Sequence, residues 1–238
     1  MALARVGGPR MKKSSLLGIA AAALLGVGQA QAGSFDFTTL GAENTALATS
    51  VVVGGVTAEG FNNNLSTPAN LWLRNVTNDH GLGVCSEGAS ACRSGGGDVN
   101  ELDNDGSNEF IRLTLPTGEL WETLWVSSLD GGGSGGSEEG RLQWSNDPTF
   151  GSVIGSANFA YTGGSVEKEI LASIAGFDTS AKYLLFSHPG SVGDDNDYLV
   201  WKGTTVADPN FIPAPEPASL TLLGAGIFAM GLARRRRR

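Results

Sequence analysis

The chain has few of the residues from which most catalytic and metal sites are built. Among its 238 residues there are only two histidines, His80 and His188, and two cysteines, Cys85 and Cys92. A nucleophile activated by a histidine base, or a zinc site of thiolates and imidazoles, needs more such residues close together. The sequence therefore predicts no catalytic residue, and both histidines are interpreted as loop residues.

Basic residues are scarce in the central part of the chain. All twenty-four acidic residues, but only seven of the sixteen lysines and arginines, lie between Gly33 and Pro217, so this span has a formal charge of −17. Such a surface repels the phosphates of nucleic acid and attracts cations. We therefore exclude DNA and RNA as partners.

The central span also lacks any long stretch with the 3.6-residue period of a helix. Short runs rich in β-branched and aromatic residues alternate with glycine, asparagine and aspartate, and Ile111, Leu113 and Leu115 occupy every second position of one run. This pattern predicts an all-β domain over residues 33–211, an antiparallel β-sandwich that is jelly-roll-like. The predicted strands are Ser34–Leu40, Thr49–Val53, Leu71–Val76, Glu109–Leu115, Leu120–Ser127, Arg141–Trp144, Ser156–Tyr161, Val166–Ala172, Lys182–Ser187 and Tyr198–Thr205.

The N-terminal residues have the pattern of a secretory signal peptide. A positively charged segment after Met11 is followed by an apolar stretch, and Ala30 and Ala32 then supply the small side chains that signal peptidase accepts. We predict that residues 1–32 are the signal peptide, that translation starts at Met11, and that signal peptidase leaves Gly33 as the first mature residue.

Export places the two cysteines in an oxidising compartment. An even number of cysteines in an exported chain favours a disulfide over free thiols. We therefore predict that Cys85 and Cys92 are bonded to each other, closing a short loop before the acidic residues that follow.

Residues 212–238 divide into three parts. A proline-flanked acid comes first and is followed by sixteen uncharged residues from Ala218 to Ala233. As a helix this apolar part would be about 24 Å long, slightly short of a ~30 Å hydrocarbon core, which a bilayer accommodates by thinning. We predict a transmembrane helix in the inner membrane, held on the cytoplasmic side by a block of arginines. The flanking residues are Pro215, Glu216 and Pro217 before the helix, and Arg234, Arg235, Arg236, Arg237 and Arg238 after it.

This three-part tail resembles the PEP-CTERM sorting signal of exopolysaccharide-producing Gram-negative bacteria. The resemblance implies that an exosortase, a membrane protease-transpeptidase, recognises Pro215, Glu216 and Pro217 and processes the tail. It also implies a membrane-anchored precursor whose domain faces the periplasm, and a mature form at the cell surface or outside the cell.

One acidic segment has the spacing of a metal-binding loop. Glu101, Asp103 and Asp105 place oxygen ligands at alternate positions before Gly106, as in the first half of an EF-hand. The bidentate glutamate of an EF-hand is missing, because Arg112 occupies its position. We therefore reject an EF-hand and retain two alternatives, a structural calcium site and a solvated polar turn.

Two further segments bear on this acidic segment. The run from Gly81 to Val84, followed by the acidic stretch, resembles a segment that recurs in PEP-CTERM exported β-domains, where a glycine-rich turn comes first. That resemblance implies fold and location but no activity. Asp194–Asp197 is a second acidic turn with the same ligand chemistry.

We interpret the chain as an exported, non-catalytic protein of the cell surface or extracellular matrix, where the family resemblance implies an association with exopolysaccharide or biofilm. Two alternatives stay open. A surface hydrolase would bring two carboxylates together in a cleft. A carbohydrate-binding module, with or without calcium, would expose coplanar rings from among Trp72, Trp121, Trp125, Trp144 and Trp201.

Overall fold

The computed structural model describes residues 32–86, 88, 92, 101–103, 107–130, 137–163, 166–190, 197–212 and 235. These residues form an all-β, antiparallel structure, which confirms the predicted fold class. Its strands are β1 (Gly33–Asp36), β2 (Thr45–Ala46), β3 (Ser50–Val53), β4 (Val56–Asn62), β5 (Pro68–Val76), β6 (Asp79–Cys85), β7 (Leu102–Asp103), β8 (Glu109–Thr114), β9 (Glu119–Ser127), β10 (Glu139–Ser145), β11 (Val153–Ala160), β12 (Lys168–Glu169), β13 (Tyr183–Ser187) and β14 (Asp197–Ala207).

Strand β5 joins two halves of one curled sheet. The first half has the strand order β11, β10, β13, β8, β4, and the second has the order β5, β6, β14, β9, β12. The first residues of β5, Pro68 and Ala69, pair with β4, whereas Asn70–Val76 pair with β6. Short strands extend the halves: β1 and β7 pair with β14, β2 with β5, and β3 with β4. Jelly-roll connectivity stays a prediction.

The two halves enclose the main hydrophobic core. Alternate residues of each strand face it, including Ile111 and Leu113 from the first half and Val84 and Val200 from the second, all with no exposed surface. Burying each such side chain stabilises the fold by about 1.5–3 kcal/mol. Leu115 is also buried, so the predicted apolar face of this run is confirmed.

Two of the predicted strands are wrong over much of their length because the chain turns there. The strand predicted at Ser34–Leu40 ends at Asp36, whose side chain accepts a backbone hydrogen bond and caps a 3₁₀ turn at Phe37–Leu40. The strand predicted at Val166–Ala172 is reduced to β12, and a second 3₁₀ turn follows at Leu171–Ser173. Alternating apolar residues cannot reveal such turns, since the carboxylates of Asp36 and Glu169 accept backbone N–H groups of the two turns and override the strand pattern.

The glycine-rich turn expected at Gly81–Val84 is a strand instead. These residues lie inside β6, where Gly81 has a φ of +131°, and a Cβ atom at this position would lie 2.4 Å from the carbonyl oxygen of Val200. Glycine is needed because β14 approaches closely, not because the chain reverses. His80 precedes it in β6, so its interpretation as a loop residue is also wrong.

Candidate functional site

The predicted disulfide is confirmed. Cys85, at the end of β6, is bonded to Cys92, and their Cα atoms are 6.1 Å apart. Both residues are buried against Trp72 in a small cluster of its own. Because Leu71 and Leu73 of the same strand belong to the main core, Trp72 faces the other side of β5 and the cross-link covers it.

The described parts of the two acidic segments noted in the sequence, Glu101–Asp103 and Asp197, lie side by side in the fold. Strand β7 pairs with the start of β14, so Asp103 and Asp197 are opposite each other. The carboxylate of Glu109 accepts hydrogen bonds from the backbone N–H groups of Asp103, at 3.3 Å, and Ser86, at 3.0 Å. All three acidic residues are buried, so the sheet concentrates negative charge that the sequence keeps apart.

Glu101 is buried beside an arginine. Its carboxylate accepts a hydrogen bond from the guanidinium of Arg74 at 2.9 Å, and the same guanidinium pairs with Asp79 at 2.9 Å and Glu43 at 3.4 Å. Burial, and then the nearby charge of Asp197, nevertheless raise the pKa of Glu101 well above its usual value. Arg74 therefore only partly offsets the cost of burying this carboxyl group.

Glu138 is a second buried carboxyl group with a strongly shifted pKa. Burial, followed by the charge of Asp197, raises the pKa of Glu138 to about 9, and its side chain is hydrogen-bonded to that of Asp197. The backbone N–H of Asp130 also donates to it. Two carboxyl groups thus meet, as a hydrolase would require, but Glu138 and Asp197 are each only 7% exposed.

The predicted calcium segment is described only in part. Glu101 and Asp103 are present in the described residues, whereas Asp105 lies outside them. Within the described ranges, no three histidine, cysteine, aspartate or glutamate side chains are grouped so as to hold a metal ion. Glu101 is paired with Arg74 instead. Calcium binding by Glu101, Asp103 and Asp105 therefore stays a prediction.

Three of the five tryptophans are core residues, and two reach the surface. Trp125 and Trp201 are half-buried, and they lie on neighbouring strands of the second half-sheet. Their ring centroids are 6.3 Å apart, but their planes meet at 79°. The coplanar pair expected of a sugar-stacking platform is therefore not formed by these rings. The buried tryptophans are Trp72, Trp121 and Trp144.

The ring of Trp201 is also engaged by two other side chains. His80 stacks on it with centroids 5.0 Å apart, and the ammonium of Lys202 lies 3.5 Å from its centroid. His80 in turn lies 3.6 Å from a carboxylate oxygen of Glu167. We call His80, Trp125, Trp201 and Lys202 the aromatic patch, a surface whose members contact one another.

A polar cleft of about 240 Å³ lies on the outer surface of the first half-sheet. Arg141 and Ser187 are opposite each other on β10 and β13, and extending the register of β13 with β8 by one residue places Phe110 beside Ser187. The small Ser187 therefore separates an aromatic ring from a guanidinium. The cleft is lined by Asn108, Glu109, Phe110, Arg141, Gln143, Ser187, His188, Pro189 and Gly190.

His188 closes one end of this cleft in an uncharged form. Its Nε2 lies 2.5 Å from the carbonyl oxygen of Leu102, and its Nδ1 lies 3.2 Å from that of Glu139. Burial lowers the pKa of His188 to about 4, so at neutral pH the ring can donate to only one of these carbonyl groups. The second ring nitrogen then carries no proton and faces its carbonyl oxygen without forming a hydrogen bond.

The cleft residues were not predicted from the sequence. Arg141 and Gln143 alternate with Leu142 and Trp144, which places the two polar residues on one outward face of a strand. That pattern alone occurs on any half-exposed strand. Only the pairing of β10, β13 and β8 brings Phe110 to the same place.

Several predicted sites lie outside the described residues. Ala32 is described just before β1, which begins at Gly33, and Arg235 is described as exposed. No helix in the described part of the chain is long and apolar enough to cross a membrane, and the predicted helix at Ala218–Ala233 is not in that part. The other predicted residues outside it are Ala30, Pro215, Glu216, Pro217, Arg234, Arg236, Arg237 and Arg238.

Comparison with known proteins identifies the C-terminal tail. Residues 213–238 match the model of the PEP-CTERM protein-sorting motif. Neither the curated proteins nor the solved structures include a match to the chain. The match therefore bears on how the protein is sorted, and the β-domain has to be understood from its own geometry.

Proposed function

Since the chain carries a PEP-CTERM protein-sorting motif at residues 213–238, we propose that it is an exported, non-catalytic β-domain that an exosortase delivers to the cell surface or extracellular matrix. The motif supports exosortase-dependent sorting of an exported protein. We further propose that the domain associates there with extracellular polysaccharide. Before sorting, signal peptidase removes the signal peptide and the C-terminal helix anchors the precursor in the inner membrane.

The contacts of the two histidines and the burial of the carboxyl pair support a binding role over a catalytic one. His80 is stacked on Trp201, and both nitrogens of His188 face backbone carbonyl groups, so neither ring is positioned to activate a hydroxyl group. The carboxyl pair of Glu138 and Asp197 is buried where a polysaccharide could not reach it. Release of reducing ends from a polysaccharide incubated with the protein would instead favour the hydrolase alternative.

The sorting proposal is tested by changing the proline-flanked acid. Proline fixes φ and has no N–H, so we expect Pro215 and Pro217 to keep Glu216 out of the predicted helix and accessible to a membrane enzyme. Replacing all three residues with alanine should leave export intact but trap an unprocessed, membrane-bound form. Intact mass and membrane fractionation measure both properties.

A matched control is Pro213→Ala, which removes a nearby proline outside the tripeptide and should be processed normally. Deleting the arginine block should have a different effect, because it removes the charge that stops the helix in the membrane. Some protein should then cross the membrane completely. Normal C-terminal processing of the triple alanine variant would refute recognition of the tripeptide and leave a plain membrane anchor.

A further inference from the structure

The cleft beside Arg141 contains an unused positive charge. In the described residues, the guanidinium of Arg141 has no hydrogen bond or ion pair, whereas that of Arg74 contacts three carboxylates and that of Arg112 contacts Glu59. The described lysines are engaged as well: Lys168 and Lys182 donate to backbone carbonyl groups, and Lys202 lies over an indole ring.

An unpaired guanidinium is unexpected in a span with a formal charge of −17, where acidic partners are abundant. Arginine is suited to holding a carboxylate through two parallel N–H···O bonds, and this arginine is half-buried at the wall of a cleft rather than extended into solvent. The surroundings therefore favour an anionic group brought by a ligand.

The acidic residues near the cleft limit how much charge that ligand can carry. The carboxylate of Glu109 accepts hydrogen bonds from the N–H groups of Ser86 and Asp103, so it is already engaged by the backbone. Glu139 is exposed on the same face of β10, two residues before Arg141. A single guanidinium beside Glu139 suits a monoanion better than a phosphate with two charges.

The rest of the lining matches a sugar ring. Phe110 is half-buried and offers an apolar face against which the C–H groups of a pyranose can pack, and Gln143 and Asn108 offer amide donors and acceptors for its hydroxyl groups. At about 240 Å³ the cleft is smaller than most drug-sized pockets, which start at roughly 300 Å³, so it suits one sugar residue of a longer chain.

We propose that this cleft binds one carboxylate-bearing sugar residue of an acidic polysaccharide, with Arg141 on the carboxylate, Phe110 against the ring, and Gln143 and Asn108 on the hydroxyl groups. The inference deepens the proposed association with extracellular polysaccharide and rests on it for the source of the ligand. The two can fail separately, because binding by purified protein does not depend on how the tail is processed.

The test is a titration of the full-length protein, purified in detergent, with sodium D-glucuronate. Calorimetry measures affinity, and the ¹⁵N–¹H signal of the arginine Nε groups reports contact with Arg141. D-glucose has the ring without the acid, and sodium acetate has the acid without the ring, each used at matched ionic strength. D-glucuronate should bind saturably and at least about tenfold more tightly than either control.

Two variants assign the binding to this cleft. Arg141→Gln should weaken D-glucuronate binding by about tenfold or more, because a charge-assisted bidentate contact is lost. Gln143→Leu keeps the approximate size of the side chain and should weaken binding severalfold, which provides an independent check if the arginine variant folds poorly. Lys202→Gln removes a positive charge from the aromatic patch and should leave affinity unchanged.

Three results would overturn the proposal. One is the absence of saturable binding by D-glucuronate. Another is an Arg141→Gln variant that folds normally and binds as tightly as the parent protein. The third is acetate binding as tightly as D-glucuronate, which would reduce the cleft to a simple anion site.

Discussion

The aromatic patch and the cleft are outer surfaces of opposite half-sheets, and both combine aromatic rings with a basic side chain. In the patch, the ammonium of Lys202 lies 3.5 Å from the ring centroid of Trp201. In the cleft, the guanidinium of Arg141 has no partner within the described residues. A cation that already contacts a ring stabilises the fold, whereas an unpaired one is available to a ligand. The comparison therefore assigns a structural role to the patch and a binding role to the cleft.

The largest expected effect concerns Glu138, the buried carboxyl group that is hydrogen-bonded to Asp197. The pKa of Glu138 is raised to about 9 in the folded protein, so the folded state keeps a proton that the unfolded state loses above about pH 4.5. The contribution of this group to the free energy of unfolding is fully present below pH 4.5. It is lost as the pH rises to about 9, and the total loss is up to a few kcal/mol. Urea denaturation across this range should show the free energy of unfolding falling with pH.

Glu138→Gln should reduce that decline, because glutamine stays neutral throughout, and the slope that remains includes Glu101, whose pKa is also raised by burial. The exposed Glu139→Gln is the matched control and should leave the slope unchanged. His188 has the opposite effect on the free energy of unfolding below pH 6.5. Burial lowers its pKa to about 4 and favours the neutral ring, so its contribution to stability is lost as the pH falls. The comparison is therefore cleanest above pH 6.5, and an undiminished slope in Glu138→Gln would assign the effect to other groups.

A smaller effect is expected when the centre of the aromatic patch is removed. Trp201→Ala deletes the stack with His80, the edge contact with Trp125 and the contact with Lys202. The ring is only half-buried, so we expect a loss of about 2 kcal/mol, less than the 3–5 typical of a core tryptophan. Thermal and urea denaturation measure this loss, and an unchanged midpoint would mean that the patch has no structural role.

The smallest effect distinguishes the two cations directly. Lys202→Gln should destabilise the fold by about 0.5–1 kcal/mol, because it removes a cation from an aromatic face. Arg141→Gln should change stability by less than about 0.5 kcal/mol, because no partner is left unpaired. Parallel urea denaturation of both variants measures the difference. A larger loss for Arg141→Gln than for Lys202→Gln would reverse the assignment of the two surfaces.

The two kinds of surface also differ in how far the sequence anticipates them. Alternating apolar positions correctly placed Ile111 and Leu113 on a buried face, because a strand turns its side chains to opposite sides at every residue. The same rule cannot say which strands become neighbours. It therefore does not predict the pairing of Asp103 with Asp197, or that Phe110 and Arg141 line the same cleft.

The glycine-rich run in β6 shows a second limit. The resemblance predicts a turn at Gly81, whereas in the structure this glycine lets the backbone of β14 approach closely. Both roles require the absence of a Cβ atom, so the residue type cannot separate them. The choice depends on which strand packs against it.

The all-β class, the disulfide and the sorting tail can all be predicted from the amino-acid sequence. Each depends on local chemistry: side-chain alternation, an even number of cysteines in an exported chain, and a linear motif recognised in order along the chain. Which carboxyl groups are buried together, and which basic side chain has no partner among the described residues, depends on the tertiary structure. Strand pairing brings distant residues within hydrogen-bonding distance, and burial then sets their pKa values, so Glu138 retains a proton while Arg141 has no partner among the described residues.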